Sequence, residues 1–192
     1  MKYYILFGPP GAGKGTHAGE ISQKYNLKHL STGELLRAEM SAGTELGKQA
    51  KSLIEAGALV PDEVVEGMIE SAFKTIKGFD GFLLDGFPRT LAQAEALDAM
   101  LAKNGESLNS VISIMIPDSV IKERIANRAA VEGRADDAKE ETINNRIRTY
   151  HSQTEPLIEY YKKKGKYNEV NGHPGSIEEV KGRILKMMEG ID

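Results

Sequence analysis

One short segment near the start of the chain has the residue types and the spacing to hold phosphate. The run Gly8-Pro9-Pro10-Gly11-Ala12-Gly13-Lys14 satisfies the pattern G-x-x-x-x-G-K, between an apolar run and a segment of helical character. Glycines let backbone N–H groups curl around phosphate oxygens, a helix N-terminus adds its positive dipole end, and Lys14 supplies a cation. The segment predicts a nucleoside triphosphate site. Its expected contacts are Gly11, Ala12, Gly13, Lys14, Gly15 and Thr16.

The hydroxyl that usually follows the lysine of this motif is displaced by one residue. Gly15 stands directly after Lys14, and the hydroxyl is carried by Thr16. Asp85 ends an apolar run and precedes Gly86, a position from which a carboxylate can organise Mg²⁺ beside such a loop. We therefore expect Mg²⁺ to accompany the nucleotide and Asp85 to hold it through coordinated water. The alternative is a turn-forming Asp at the surface.

Arginines recur where a site for two anionic ligands would need them. Arg37 lies one helical turn into a segment entered through Thr32. Arg89 follows a strand end and a proline, where an α/β sheet presents its ligand crevice. Arg124 and Arg128 are four residues apart and so share one helix face. By themselves such residues would be interpreted as solvated arginines, so their role depends on the motifs around them.

The composition favours one intracellular α/β domain. A chain of 192 residues can fill one core, and 25 Lys and Arg against 28 Asp and Glu give a net charge of −3. No positive field indicates a nucleic-acid or anionic-membrane partner. The absence of Cys excludes disulfides and Cys-based zinc sites. The opening apolar run ends at Gly8, too early for a signal peptide or a membrane span, so we expect a cytoplasmic protein.

Short apolar runs alternate with helical segments, which is the order of a parallel sheet wrapped by helices. Strands are predicted at 3–7, 28–30, 82–84, 111–116 and 167–170. Helices are predicted at 15–25, 33–42, 45–56, 62–73, 91–103, 119–131, 140–164 and 177–188. The pattern therefore predicts an α/β fold with a five-stranded sheet.

Four motifs, in this order, resemble the signature set of the adenylate kinase family. They are GPPGAGKGT at 8–16, LSTGELLR at 30–37, LDGFPR at 84–89 and GRADD at 133–137. The resemblance runs from residue 4 to about residue 185 and implies a P-loop NTPase fold, three-layer α/β/α with a five-stranded parallel sheet. It further implies a core of 1–30, 61–128 and 139–192, an NMP-binding segment at 31–60 and a short lid at 129–138.

The resemblance also implies a reaction and the residues that serve it. The reaction is reversible transfer of the γ-phosphoryl group of ATP to AMP, giving two ADP, by a monomer. Besides the phosphate loop, Arg124, Arg128 and the backbone at Gly175 would contact ATP. The AMP site would comprise Thr32, Arg37, Ala58, Leu59, Val60, Gly86, Phe87, Pro88, Arg89, Gln93, Arg134 and Arg146. The catalytic groups would be Lys14, Asp85, Arg89, Arg128, Arg134 and Arg146, since guanidinium binds phosphate in a bidentate fork.

Two departures from the family pattern bear on the lid. It is short, with no room for an added β-hairpin and no Cys to bind zinc, so no zinc is expected. Nine steps separate Asp137 from Arg146 where many relatives have eight, so Ala138 or Lys139 is inserted. Inside a helix this insertion would rotate Arg146 by about 100°. We expect instead that a loop before Glu140 absorbs it.

Three alternatives to this function are open. A kinase for CMP or UMP shares most of the motifs, but Thr32 and the amide of Gln93, which matches the donor and acceptor edge of adenine, favour AMP. A nucleotide-binding regulator without turnover should have lost an arginine or Asp85, and none is missing. A nucleic-acid-binding module lacks the basic patch with interleaved aromatic residues that it would need.

Overall fold

The computed structural model describes residues 1–133 and 139–191. Its centre is a sheet of five parallel strands in the order β2-β3-β1-β4-β5. The strands are β1 Lys2–Phe7, β2 Leu27–Ser31, β3 Gly81–Asp85, β4 Ser110–Met115 and β5 Tyr167–Asn171. The predicted fold class is confirmed, and each predicted strand lies at its expected place.

Helices connect the strands. They are α1 Lys14–Lys24, α2 Thr32–Ala42, α3 Glu45–Glu55, α4 Asp62–Thr75, α5 Leu91–Lys103, α6 Asp118–Glu132, α7 Glu140–Thr149, α8 Leu157–Lys163 and α9 Ile177–Glu189. Except for the segment predicted at 140–164, the observed bounds lie within two residues of the predicted ones.

The prediction of one continuous helix at 140–164 is wrong. The helix breaks after Thr149 into a π-helical turn, Tyr150–Thr154, and resumes as α8 at Leu157. Pro156 has no N–H to donate to the preceding turn, and the N–H of Glu155 bonds Tyr150 O at 2.7 Å, a five-residue spacing. The apolar spacing of the segment suits a helix on both sides of the break, which is why periodicity alone missed it.

Alternate residues of each strand supply two separate cores. Tyr3, Ile5 and Phe7 of β1 face one core, while Tyr4 and Leu6 face the other. Helices α4, α5 and α8 cover the first face, and α1, α6 and α9 cover the second. Because both faces of the sheet are buried at its centre, β1, β3 and β4 consist of almost unbroken apolar runs, whereas the edge strands β2 and β5 carry several polar residues. The result is a three-layer α/β/α arrangement.

Parallel pairing brings the carboxyl ends of neighbouring strands to one edge of the sheet. Asp85 at the end of β3 pairs in register with Leu6 of β1 and with Ser31 of β2. The phosphate loop follows β1, and α2 follows β2 with Ser31 as its N-cap. The sheet edge therefore gathers the motifs of 8–16, 30–37 and 84–89. Within the described ranges, none of the helices has the length and apolar character that crossing a bilayer demands.

Candidate active site

The loop between β1 and α1 is closed by its own lysine. Gly13 takes the left-handed conformation (φ +92°) that lets α1 begin at Lys14. The ammonium of Lys14 turns back and donates to Gly8 O at 3.0 Å and to Pro9 O at 3.1 Å. Desolvation lowers the pKa of Lys14 to about 8, against the opposing effect of the Asp85 carboxylate. The lysine is thus a charge held at the mouth of a loop built for phosphate.

Asp85 is a buried carboxylate at the end of β3, 8% exposed. Nε2 of His29, on the neighbouring strand β2, lies 3.1 Å from its Oδ2. Burial raises the pKa of Asp85, but the hydrogen bond with His29 and the charge of Lys14 outweigh it and hold this pKa below its ordinary value. Asp85 is therefore ionised at neutral pH.

A single ionised carboxylate next to a phosphate loop suits Mg²⁺. Among the described residues there is no group of three or more His, Asp and Glu side chains that could hold a metal unaided. Mg²⁺ keeps several waters and is commonly bound by one or two carboxylates together with substrate phosphates. The residues present fit that ion, with Asp85 as the protein's contribution.

A pocket of about 630 Å³ opens between α2, the end of α3, the start of α4 and the loop after β3. Its lining includes these residues of the predicted acceptor site: Thr32, Arg37, Ala58, Leu59, Val60, Gly86, Arg89, Gln93 and Arg146. The guanidinium of Arg37 folds back over Gly33, where an added Cβ would lie 3.0 Å from Nη2. The lining combines arginines with apolar groups such as Leu36, Ile54 and Val65. It suits a ligand with an anionic end and a flat apolar body.

A second pocket, about 570 Å³, lies between the phosphate loop and the π-helical turn. Gly8, Pro10 and Lys14 line it from the loop, and Tyr150 and Thr154 line it from the turn. Five residues line both pockets: Gly57, Leu59, Gly86, Arg89 and Arg146. The two cavities therefore meet at a junction that carries two arginines.

Arg89 is fixed at this junction by three hydrogen bonds. Its Nε donates to Gly86 O at 2.8 Å, its backbone N–H to Gln93 Oε1 at 2.7 Å, and its carbonyl accepts from the Thr154 hydroxyl at 2.6 Å. Desolvation lowers the pKa of the guanidinium and the Asp85 carboxylate opposes that shift. The cation is held in a defined position before any ligand arrives.

Gln93 lies at the pocket wall with its amide bonded to protein groups. It is 1% exposed, and its Nε2 donates to Asp62 Oδ1 at 2.8 Å while its Oε1 accepts from Arg89. The Thr90 hydroxyl caps α5 by accepting from the backbone N–H of Gln93. This bond fixes the backbone from which the Gln93 side chain projects. One N–H and one lone pair of the amide remain for a base. Its role as reader of the base stays a prediction, and the structure adds a structural role beside it.

Helix α7 brings Arg146 to the junction and contacts the acceptor side directly. The Thr142 hydroxyl donates to Glu55 O, and Asn145 Nδ2 donates to Ala56 O at 2.9 Å. A Cβ on Gly57 would lie 2.7 Å from Thr142 O. The helix begins at Glu140, as the loop interpretation of the insertion requires. Of the two candidates for the inserted residue, Lys139 is described, whereas Ala138 lies outside the described residues. Arg134 also lies outside them.

Comparison with known proteins decides the family. A model described as "Adenylate kinase" matches residues 6–166. The chain is 48% identical to an adenylate kinase of Bacteroides thetaiotaomicron over 192 residues, 100% of this chain and 99% of that protein. It is 48% identical to one of Leptospira biflexa, over 97% of this chain and 99% of that protein. Against one of Stenotrophomonas maltophilia the identity is 44%, over 97% and 98%.

The chain belongs to the adenylate kinase family.

Some residues that the adenylate kinase resemblance assigns to the site lie away from both pocket linings. Arg124 Nη2 donates to Gly172 O at 3.0 Å, so this guanidinium holds the loop after β5. Arg128 lies near enough for its charge to lower the pKa values of Lys14 and Arg89. Phe87 is buried in the core at 1% exposure. Pro88, by contrast, lines the second pocket and not the predicted acceptor pocket. Gly175 lies in the loop that Arg124 helps to hold, with Arg183 bonded to Pro174 O at 3.0 Å.

Four residues of this adenylate kinase site were not singled out from the sequence. His29 bonds Asp85, Asp62 bonds Gln93, Thr154 bonds Arg89, and Arg183 bonds the carbonyls of Asn171 and Pro174. The adjacency of β2 and β3 would have pointed to His29, but a sequence does not state which strands pair. The other three lie at the start of α4, on the π-helical turn and on α9, in segments that carry no motif.

Proposed function

We propose that this chain transfers the γ-phosphoryl group of ATP to AMP, reversibly, giving two ADP. The observation that carries the proposal is the junction of the two pockets, where Arg89 and Arg146 line both. Transfer between two nucleotides places several anionic oxygens in one small volume. Shared arginines at that point supply the charge that such a volume needs.

The donor is held by the phosphate loop. Backbone N–H groups of Gly11 to Thr16 and the N-terminus of α1 receive the phosphates, and Lys14 exchanges its bonds to Gly8 O and Pro9 O for phosphate oxygens. Arg124, Arg128 and the loop at Gly175 complete the ATP side. Arg134 joins them from the short lid, which we place at 129–138.

The acceptor is held by the segment 31–60 and by the loop after β3. Arg37 and Arg89 grip the AMP phosphate, Thr32 and the backbone from Ala58 to Val60 shape the pocket, and Gln93 faces the base. Arg146 bridges the two phosphate chains. Of these three arginines, Arg37 lines the acceptor pocket, and Arg89 and Arg146 line both pockets.

Transfer needs no general base. A phosphate oxygen of AMP, already ionised near neutral pH because its second pKa is about 6, forms a bond to the γ-phosphorus. The bond from that phosphorus to the bridging oxygen of the β-phosphate breaks, and ADP leaves. Arg89, Arg146 and Lys14 stabilise the charge on the transferred group and on the leaving oxygen. Positioning and charge neutralisation carry the reaction.

Mg²⁺ would accompany ATP, and Asp85 would hold it through coordinated water. When bound, the ion neutralises phosphate charge and orients the donor. The ionised state of Asp85, fixed by His29 and Lys14, suits this role. We expect a cytoplasmic monomer that uses no zinc.

A coupled assay of ADP formation tests the proposal. It uses ATP and Mg²⁺ with one acceptor at a time, AMP, CMP, UMP or GMP. Of these four acceptors, we expect only AMP to give high turnover. EDTA should abolish it and added Mg²⁺ should restore it, whereas a zinc-selective chelator should have no effect. Absence of transfer to AMP, or a preference for CMP or UMP, would contradict the proposed acceptor.

A further inference from the structure

The loop that carries Arg89 lies outside the sheet and outside the helices. It runs from the end of β3 at Asp85 to the start of α5 at Leu91. Backbone groups in such a loop have no ladder or helix partners, so side chains or water must satisfy them. The groups that bond the backbone of Arg89 therefore determine how firmly its guanidinium is held.

Both backbone groups of Arg89 are bonded to side chains from other elements. Gln93 of α5 accepts from its N–H at 2.7 Å, and the Thr154 hydroxyl donates to its carbonyl at 2.6 Å. The Nε of Arg89 is bonded to Gly86 O of the same loop, at 2.8 Å. Since backbone and guanidinium are tied to one short loop, a shift of the loop moves the guanidinium with it.

Thr154 is placed for this contact by an irregular helix. It is the last residue of the π-helical turn Tyr150–Thr154 and is 8% exposed. A π turn holds one more residue than an α-helical turn, so it changes the direction in which the following side chains point, and such turns are frequent at functional sites. The turn faces the second pocket with Tyr150 and Thr154.

We propose that Thr154 is a positioning residue for phosphoryl transfer, which acts by holding the Arg89 carbonyl and through it the guanidinium at the junction of the two pockets. The proposal rests on the proposed function. Without the hydroxyl, the Arg89 carbonyl has lost its donor and the loop is held from the Gln93 side alone. Displacement of a positioned group by about 1 Å can cost up to about a hundredfold in rate.

The test compares Thr154→Val, which keeps the shape and loses the hydroxyl, with Thr154→Ser, which keeps the hydroxyl. We expect Thr154→Val to lower kcat and kcat/KM for AMP about tenfold. The Kd for ATP, measured without AMP, should stay unchanged. Ser should stay within about twofold of wild type. Thr75→Val is the matched control, because the Thr75 hydroxyl also donates to a backbone carbonyl, Ser71 O at 2.8 Å, but lies on the exposed end of α4.

A double-mutant cycle separates positioning from loss of stability. If Thr154 acts through Arg89, Thr154→Val should cost less than about twofold when added to Arg89→Lys. A full tenfold loss in that background, or wild-type kinetics of Thr154→Val, would overturn the inference. If the Val variant does not fold, Thr154→Ser and Thr154→Ala differ only in the hydroxyl and decide in the same way. A wild-type chain that transfers nothing to AMP would instead overturn the proposed function and this inference with it, whereas an active wild type with an equally active Val variant overturns the inference alone.

Discussion

The donor loop and the acceptor pocket are held together by different kinds of bond. In the donor loop, the Lys14 ammonium bonds two carbonyls of its own loop, and we expect it to exchange these bonds for phosphate oxygens when ATP binds. In the acceptor pocket, Arg89 is tied through its backbone to Gln93 and Thr154, and these bonds leave the tip of the guanidinium for the ligand. We therefore expect the donor side to exchange hydrogen-bond partners on binding and the acceptor side to keep them.

This difference shows how one site can handle two anionic ligands. A mobile ammonium is a point charge that can follow the phosphate it neutralises, whereas a guanidinium fixed by its backbone sets the direction of the ligand. We therefore expect donor-side changes to remove charge stabilisation and acceptor-side changes to remove alignment. Single substitutions on each side test that division.

The largest effect should come from Lys14→Met. It removes the mobile charge of the donor loop without changing packing, so we expect kcat to fall about 10²–10³-fold in a protein that still folds. Steady-state ADP formation and the thermal melting temperature measure the two properties. Lys24→Met, at an exposed lysine of the same helix that pairs with Glu189, is the control and should keep full turnover. Near-normal turnover of Lys14→Met would remove the basis for the donor assignment.

On the acceptor side, Gly86→Ala should break the alignment. Gly86 has φ +86°, and its added Cβ would lie 2.6 Å from Thr32 Oγ1 and 3.0 Å from Arg89 Nη2. Displacing both should lower kcat/KM for AMP by roughly 10–100-fold.

The control for this change is Gly78→Ala. Gly78 has a similar φ of +92° with nothing within 4 Å of the added Cβ, so it imposes the same backbone strain far from any neighbour. Both variants should lose stability, and the kinetic loss should be confined to Gly86→Ala. Equal kinetics of the two variants would show that strain, and not contact with Arg89, matters here.

Gln93→Leu should have a smaller effect and should show which of its two roles dominates. We expect kcat/KM for AMP to fall by an amount that corresponds to roughly 1–3 kcal/mol of lost transition-state stabilisation. ATP binding should be retained, and the preference for AMP over CMP should be reduced. Asp62→Asn is the companion variant, because it weakens the bond from Gln93 Nε2 while leaving the amide in place. It should keep the ratio of AMP to CMP turnover. Equal losses for AMP and CMP in Gln93→Leu would leave only the structural role.

The smallest expected effect is the uptake of a proton by Lys14 when ATP binds. The pKa of Lys14 is about 8 in the free protein, so its ammonium is mostly lost at pH 9, and bound phosphates should raise that pKa. The Lys14 side chain should therefore take up close to one proton on ATP binding at about pH 9 and almost none at about pH 6.5. Calorimetry in two buffers of different ionisation enthalpy measures the uptake. Lys14→Met should show none, and an uptake that survives in this variant would have to come from another group.

Much of the fold could be predicted because both faces of the sheet are buried. The runs Tyr3 to Phe7 and Val111 to Ile116 are apolar except at Ser113 and are followed by Gly8 and Pro117, and this pattern is local. The break at Tyr150–Thr154 could not be predicted from the same pattern, since apolar spacing continues through it. Pro156 was the one local signal of the break.

Residues that we propose to contact substrate were easier to predict than the residues that hold them in place. Arg89 stands inside a motif, whereas its partners Thr154 and Gln93 are 65 and 4 residues away, and only the second is near it in the sequence. His29 bonds Asp85 across 56 residues, through strands whose adjacency no local pattern reveals. Such partners become visible only when the fold is known.

The contact between α7 and the end of α3 also limits how the sequence can vary in evolution. The carbonyls of Glu55 and Ala56 receive the side chains of Thr142 and Asn145, and a side chain at Gly57 would run into the backbone of Thr142. Which substitutions are tolerated at any one of these positions therefore depends on the residues at the others. In an alignment of relatives, columns 57, 142 and 145 should change together, although more than eighty residues separate the first from the other two.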